Sequence, residues 1–221
     1  MPAITQIFKA SVSRKYTMAA TGLFLSMFLV EHLYGNILLY ADSDGAAFVE
    51  YSHSMVHNIL IRIVEVFLFG AIVLHVIQAL MLTIQNRKAR SVGYAVNKAS
   101  ETSTWYSRNM GLTGSFILFF LVVHLYSFFV PYRITGLAAG ENVATIVKKA
   151  FESAPYAALY VVATVLLGFH LNHGFQSAFQ TLGFNNKNYA ATLKIIGTGF
   201  SILITLGFAS FPIVYYFGIL K

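Results

Sequence analysis

The sequence contains no cysteine. Disulfides, thiolate-held iron–sulfur clusters and haem attached through C-x-x-C-H are therefore excluded, and any iron–sulfur chemistry belongs to a partner. Charge is scarce as well: 10% of the 221 residues are charged and 57% are hydrophobic. That balance is far too apolar for a soluble domain. No G-x-x-x-x-G-K loop is present, and no G-x-G-x-x-G follows a strand, so nucleotide binding by this chain is not expected.

What is present is apolar sequence in long runs. Stretches of 18 or more apolar residues read as membrane spans. Five occur, at roughly 16–40, 57–84, 109–131, 155–182 and 190–218. The expected fold is an all-α integral membrane protein of five transmembrane helices in a single domain covering 1–221.

The net charge of +7 raises the question of nucleic acid, but its distribution answers no. Lys9, Arg14 and Lys15 precede the first span. Arg87, Lys88, Arg90, Lys98 and Arg108 fill the second connection against Glu101, and Lys187 and Lys194 flank the fourth. The first connection carries Asp42, Asp44 and Glu50 instead. This is the positive-inside pattern, with the N-terminus cytoplasmic and Lys221 outside. The third connection (Arg133, Glu141, Lys148, Lys149, Glu152) is mixed and opposes the rule weakly. The first span is too long for a signal peptide and no small-residue cleavage site follows it, so it is expected to be retained.

Four of the seven histidines fall one per span: His32, His75, His124 and His170. A polar residue deep in a bilayer is costly without a partner and is a functional candidate by default. At a rise of about 1.5 Å per residue, His32 and His124 lie about 24 and 22 Å along spans that start inside. His75 and His170 lie about 27 and 22 Å along spans that start outside. Residues at one depth can share one iron, which pairs His32 with His124 toward the outside and His75 with His170 toward the cytoplasm. Two such levels in a helical bundle suggest two stacked haems.

The first and third spans repeat. Ser13-Arg14, Met18-x-x-Thr21-Gly22, Phe24 and His32-Leu33-Tyr34 correspond to Ser107-Arg108, Met110-x-x-Thr113-Gly114, Phe116 and His124-Leu125-Tyr126. The second and fourth spans match more weakly, with Ala79 and Gly174 each four residues after a histidine. Two hairpins then build a four-helix bundle, and the fifth helix, which holds Pro212, packs outside it. Gly22 and Gly114 lie about 15 Å cytoplasmic of His32 and His124. They would let a flat macrocycle approach the backbone, or serve ordinary small-residue packing. His173, one turn after His170, is a rival ligand. His53 and His57 sit in or near the outer connection, where no ligand role is needed.

Taken together, these residues resemble the large dihaem cytochrome b anchor of succinate:quinone oxidoreductases, the single-subunit type with five helices. The carriers are the S-R-x(3)-M-x-x-T-G opening of span one, one histidine per span, and His170-x-x-x-Gly174. The resemblance covers essentially the whole chain. It implies two b haems on the pairs above, in a multi-pass protein of the inner (cytoplasmic) membrane. It also implies a flavoprotein with covalent FAD and an iron–sulfur protein as cytoplasmic partners, together forming a succinate dehydrogenase or fumarate reductase. A membrane quinone, with a lean to menaquinone, would be the substrate.

Within that resemblance Glu65, ten residues before His75, matches an acid associated with quinone and its protons. Read bottom-up, Glu65 and Arg62 are three apart and can simply pair. Glu31, beside His32, is a second intramembrane acid that tunes the outer haem, carries protons or points outward. Some members carry a glutamate two residues before the fourth ligand. Here that position is Gly168, which puts such a proton route in doubt. Arg14 and Arg108 suit haem propionates or simply satisfy the positive-inside rule. Trp105 and Tyr106 suit an inner aromatic belt, Tyr40, Tyr132 and Tyr156 an outer one, and residues 1–12 an interfacial helix.

The expected function is electron transfer between the iron–sulfur partner and quinone. Alternatives are the cytochrome b of a hydrogenase or formate dehydrogenase, a proton-coupled transporter, or an anchor without haem.

Overall fold

A computed structural model describes residues 11–88, 105–184 and 186–220. Most of the interfacial segment expected over residues 1–12, and Lys9, Arg90, Lys98, Glu101 and Lys221, lie outside the described residues.

Helix α1 (Ser11–Ile37) ends in a 3-10 turn, Leu38–Tyr40; α2 (Ala46–His57) is short and α3 (Ile59–Lys88) is long. After one turn of helix, α4 (Trp105–Arg108), come α5 (Met110–His124), α6 (Val143–Phe151), α7 (Ala154–Thr181) and α8 (Lys187–Tyr216). The described residues hold no strand. Five stretches are long and apolar enough to cross a membrane: Val12–Tyr40, Ile59–Lys88, Met110–Thr135, Ala154–Thr181 and Asn188–Tyr216. The chain is a multi-pass membrane protein, and the sequence-based boundaries differ from these by at most four residues.

Helix α7 is the hub. It packs against α1, α5 and α8, while α3 leans on α1 and α2. Within their most apolar stretches α7 and α8 bury 33% of residues inside the chain, whereas α3 and α5 bury only 6%. The last helix is thus better packed than its expected place outside the bundle implied. Its Gly207 admits Leu33 of α1, whose Cδ atoms would lie 2.7–2.8 Å from an added Cβ. Tyr215 donates to the Leu39 carbonyl at 2.9 Å, tying the end of α8 to the end of α1.

The short helices α2 and α6 close one end of the bundle. Asn142 caps α6, accepting from Ala144 and Thr145 at 2.9 Å while its own N–H meets Thr145 Oγ1 at 2.8 Å, a reciprocal capping box. At the start of α2, Asp42 accepts from Ala47 N at 2.8 Å and Asp44 from Ala46 N at 3.2 Å. Gly45 turns the chain with φ 79°, and a Cβ there would lie 2.5 Å from that of Ala144. A left-handed turn and the close approach of α6 both call for glycine. Tyr40 bonds Ser210 Oγ of α8 at 2.9 Å, and Tyr156 bonds Tyr160 OH one turn along α7 at 3.1 Å.

The third span is not a continuous α-helix. Beyond His124 it continues as π turns, Leu125–Phe129 and Pro131–Thr135. Pro131 has no N–H and its ring clashes with the carbonyl four residues back, which loosens the helical ladder. Helix α8, by contrast, runs through Pro212.

Gly168 of α7 faces Thr205 of α8, and an added Cβ would collide with Thr205 Oγ1. A side chain at 168 therefore has no room while α8 is in place. Gly168→Ala should destabilise the detergent-solubilised protein by about 1–3 kcal/mol. Adding Thr205→Ala should restore most of that loss in denaturant titrations. Equal stability of Gly168→Ala and the parent would contradict this packing.

Candidate functional site

The four intramembrane histidines meet in two pairs. The rings of His32 and His124 have centroids 5.8 Å apart and planes at 89°. The rings of His75 and His170 are 6.3 Å apart at 62°. Among the described residues, the ring that meets His75 is that of His170 and not that of His173. The two pairs occupy different levels. His124 bonds Tyr160, which packs on Phe151 of α6 at the closed end. Phe169, adjacent to His170, packs on Trp105 and Tyr106 at the opposite end. Ten residues of α7 separate Tyr160 from His170, about 15 Å along the axis.

Each pair has its own surroundings. Phe28 stacks on His32 at 5.3 Å, and Phe208 from α8 approaches it at 5.6 Å. Phe120 and Phe128 flank His124 at 5.7 and 5.5 Å. At the other level, Gly22 stands against His75 and Gly114 against His170, with the imidazole Cε1 3.4 and 3.6 Å from an added Cβ. Thr21 Oγ1 meets His75 Nδ1 at 3.1 Å, and Tyr160 OH meets His124 Nδ1 at 3.1 Å. A bond at Nδ1 orients the ring and leaves Nε2 for another partner. His170 Nδ1 is buried with no hydrogen-bond partner among the described residues.

A metal–imidazole bond is about 2 Å long, so two imidazoles on opposite sides of one ion have centroids about 6 Å apart. Both pairs lie close to that span, and no hydrogen bond joins the two rings of either pair. Among the described residues no cluster of three or more histidines, cysteines or acids gathers to hold a metal ion. Two imidazoles alone suit an iron whose other donors come with it, as in a haem.

The acids lie apart from these pairs. Glu65 pairs with Arg62 one turn before it. Glu31 accepts a hydrogen bond from Tyr51 of α2. The Tyr51 ring lies over Gly35, where a Cβ would come within 2.7 Å of it. This contact docks α2 on α1, and the sequence carries no local signal for it. Arg14 lies seven residues before Thr21, two turns away on the same helix face. Arg108 closes α4, exposed at the same end of the molecule.

Burial, together with the hydrogen bond and charge of Glu31, raises the Tyr51 phenol above its ordinary pKa. The folded state then holds this proton more tightly than the unfolded chain. The contribution to stability is complete below the ordinary phenol value of about 10 and declines as pH rises above it. An NMR signal from labelled tyrosine, assigned with Tyr51→Phe, should stay protonated at about one unit above that value. In Glu31→Gln it should titrate lower. Titration of Tyr51 alongside exposed tyrosines would contradict the contact.

Comparison with protein-family models, curated proteins and solved structures finds no match to this chain.

Proposed function

We propose that this chain is the dihaem cytochrome b anchor of a succinate:quinone oxidoreductase, in which two b haems pass electrons between an iron–sulfur partner and membrane quinone. The observation that carries the reading is the meeting of four histidines as two pairs, at two levels, each with a span of about 6 Å. Their residues fit the group: paired imidazoles, with Nδ1 engaged at His75 and His124 so that Nε2 is left for a metal, and glycines facing the second pair. The equivalent contacts of Thr21-Gly22 with His75 and of Gly114 with His170 support two repeated hairpins.

On this reading His32 and His124 hold one haem and His75 and His170 the other. Arg14 and Arg108 would supply cations for the propionates of the second. Bound there, the haems supply one-electron carriers at two depths. The protein orients each imidazole, excludes water and lines the site with aromatic rings. The positive-inside rule puts the closed α2–α6 end outside and the Arg14–Arg108 end in the cytoplasm, where the flavoprotein and iron–sulfur subunit dock. Quinone, menaquinone by the family lean, reacts near the outer end, with Glu65 and Glu31 as the acids able to handle its protons. The membrane is the cytoplasmic one.

A pyridine haemochrome count on the purified membrane complex tests this. Two b haems per chain are expected, reduced by succinate through the partners, and each of His32→Ala and His75→Ala should lose one. A complex without haem would overturn the proposal.

A further inference from the structure

His53 and His57 take no part in the proposed electron transfer. They lie four residues apart on α2, so both side chains project from one helix face. Both are exposed. Their rings lie side by side, with centroids 4.0 Å apart and planes at 30°.

His57 Nδ1 lies 2.8 Å from the His53 backbone carbonyl. A carbonyl only accepts, so Nδ1 carries the hydrogen and Nε2 keeps a free lone pair. A bond from the second ring nitrogen to a backbone carbonyl is how metal-ligating imidazoles are commonly held. An open hollow beside His53 is lined by Asp44, Glu50 and Asn142. Its two carboxylates raise the local concentration of cations. They do not complete a three-residue cluster with the histidines, so water would fill the remaining coordination positions.

We propose that His53 and His57 form a surface site for one divalent transition-metal ion, Cu²⁺, Ni²⁺ or Zn²⁺. Two histidines one turn apart on a helix are a recurrent zinc-binding arrangement. Imidazole suits these borderline ions, whereas Mg²⁺ and Ca²⁺ prefer oxygen. Among them Cu²⁺ should bind tightest. The bound ion would bridge the last turn of α2, directly before Asn58, whose Oδ1 accepts from Leu60 N at 2.9 Å at the start of α3. It would therefore staple the corner between these helices.

The test is Cu²⁺ titration of the full-length protein, purified without a polyhistidine tag, by calorimetry and EPR. One ion per chain with nitrogen hyperfine coupling is expected. Loss of either imidazole removes the second point of attachment, so His53→Ala and His57→Ala should each weaken binding about tenfold or more. Zn²⁺ should slow amide exchange over residues 53–58, and Ser54→Ala should bind normally. Wild-type affinity in His57→Ala, or a Cu²⁺ signal without nitrogen coupling, would overturn the proposal. Because the site lies apart from the four intramembrane histidines, its outcome is independent of haem content.

Discussion

An imidazole among apolar helices has two ring nitrogens to satisfy without water. Four helices of this chain each carry one, and the fold brings the four rings together two by two. That requirement organises much else. Thr21 and Tyr160 engage one nitrogen of a histidine in each pair. Glycines occupy the helix surface where His75 and His170 turn inward. Aromatic rings from α1, α5 and α8 fill the space around His32 and His124.

The helix packing follows the same division. Helix α7 carries His170 and also Tyr160, so it contributes to both levels while contacting α1, α5 and α8. Helices α3 and α5 bury little of themselves inside the chain. At one end α2 and α6 form a polar cover, held by the capping box of Asn142, the close approach of Gly45 to Ala144, and the Tyr51–Glu31 contact. Acids and exposed histidines collect on that cover. Arg14, Arg87 and Arg108 lie at the other end.

Much of this was legible in sequence because it depends on periodicity and length. The five spans follow from apolar runs. The pairing of His32 with His124 and of His75 with His170 follows from depth arithmetic, and the Arg62–Glu65 pair from a spacing of three. What escaped depends on contacts between distant segments. Nothing local to Tyr51 indicates that it reaches Glu31. Nothing local to Tyr40 indicates that it reaches Ser210 of α8. The π turns after His124 had a visible cause in Pro131, yet hydropathy does not register a change of helical ladder. The close packing of α8 rests on Gly168 and Gly207, two glycines whose neighbours lie in other helices. The expectation of partner subunits and quinone comes only from the resemblance carried by the S-R-x(3)-M-x-x-T-G opening of span one, one histidine per span and His170-x-x-x-Gly174. The partners and quinone are not legible from spacing alone.

The central claim is that the histidines act as two specific pairs. Haem content in double variants tests it most directly. His32→Ala with His124→Ala removes one pair and should leave one haem per chain, and so should His75→Ala with His170→Ala. His32→Ala with His75→Ala damages both pairs and should leave none. Equal haem content in same-pair and mixed-pair variants would contradict the account.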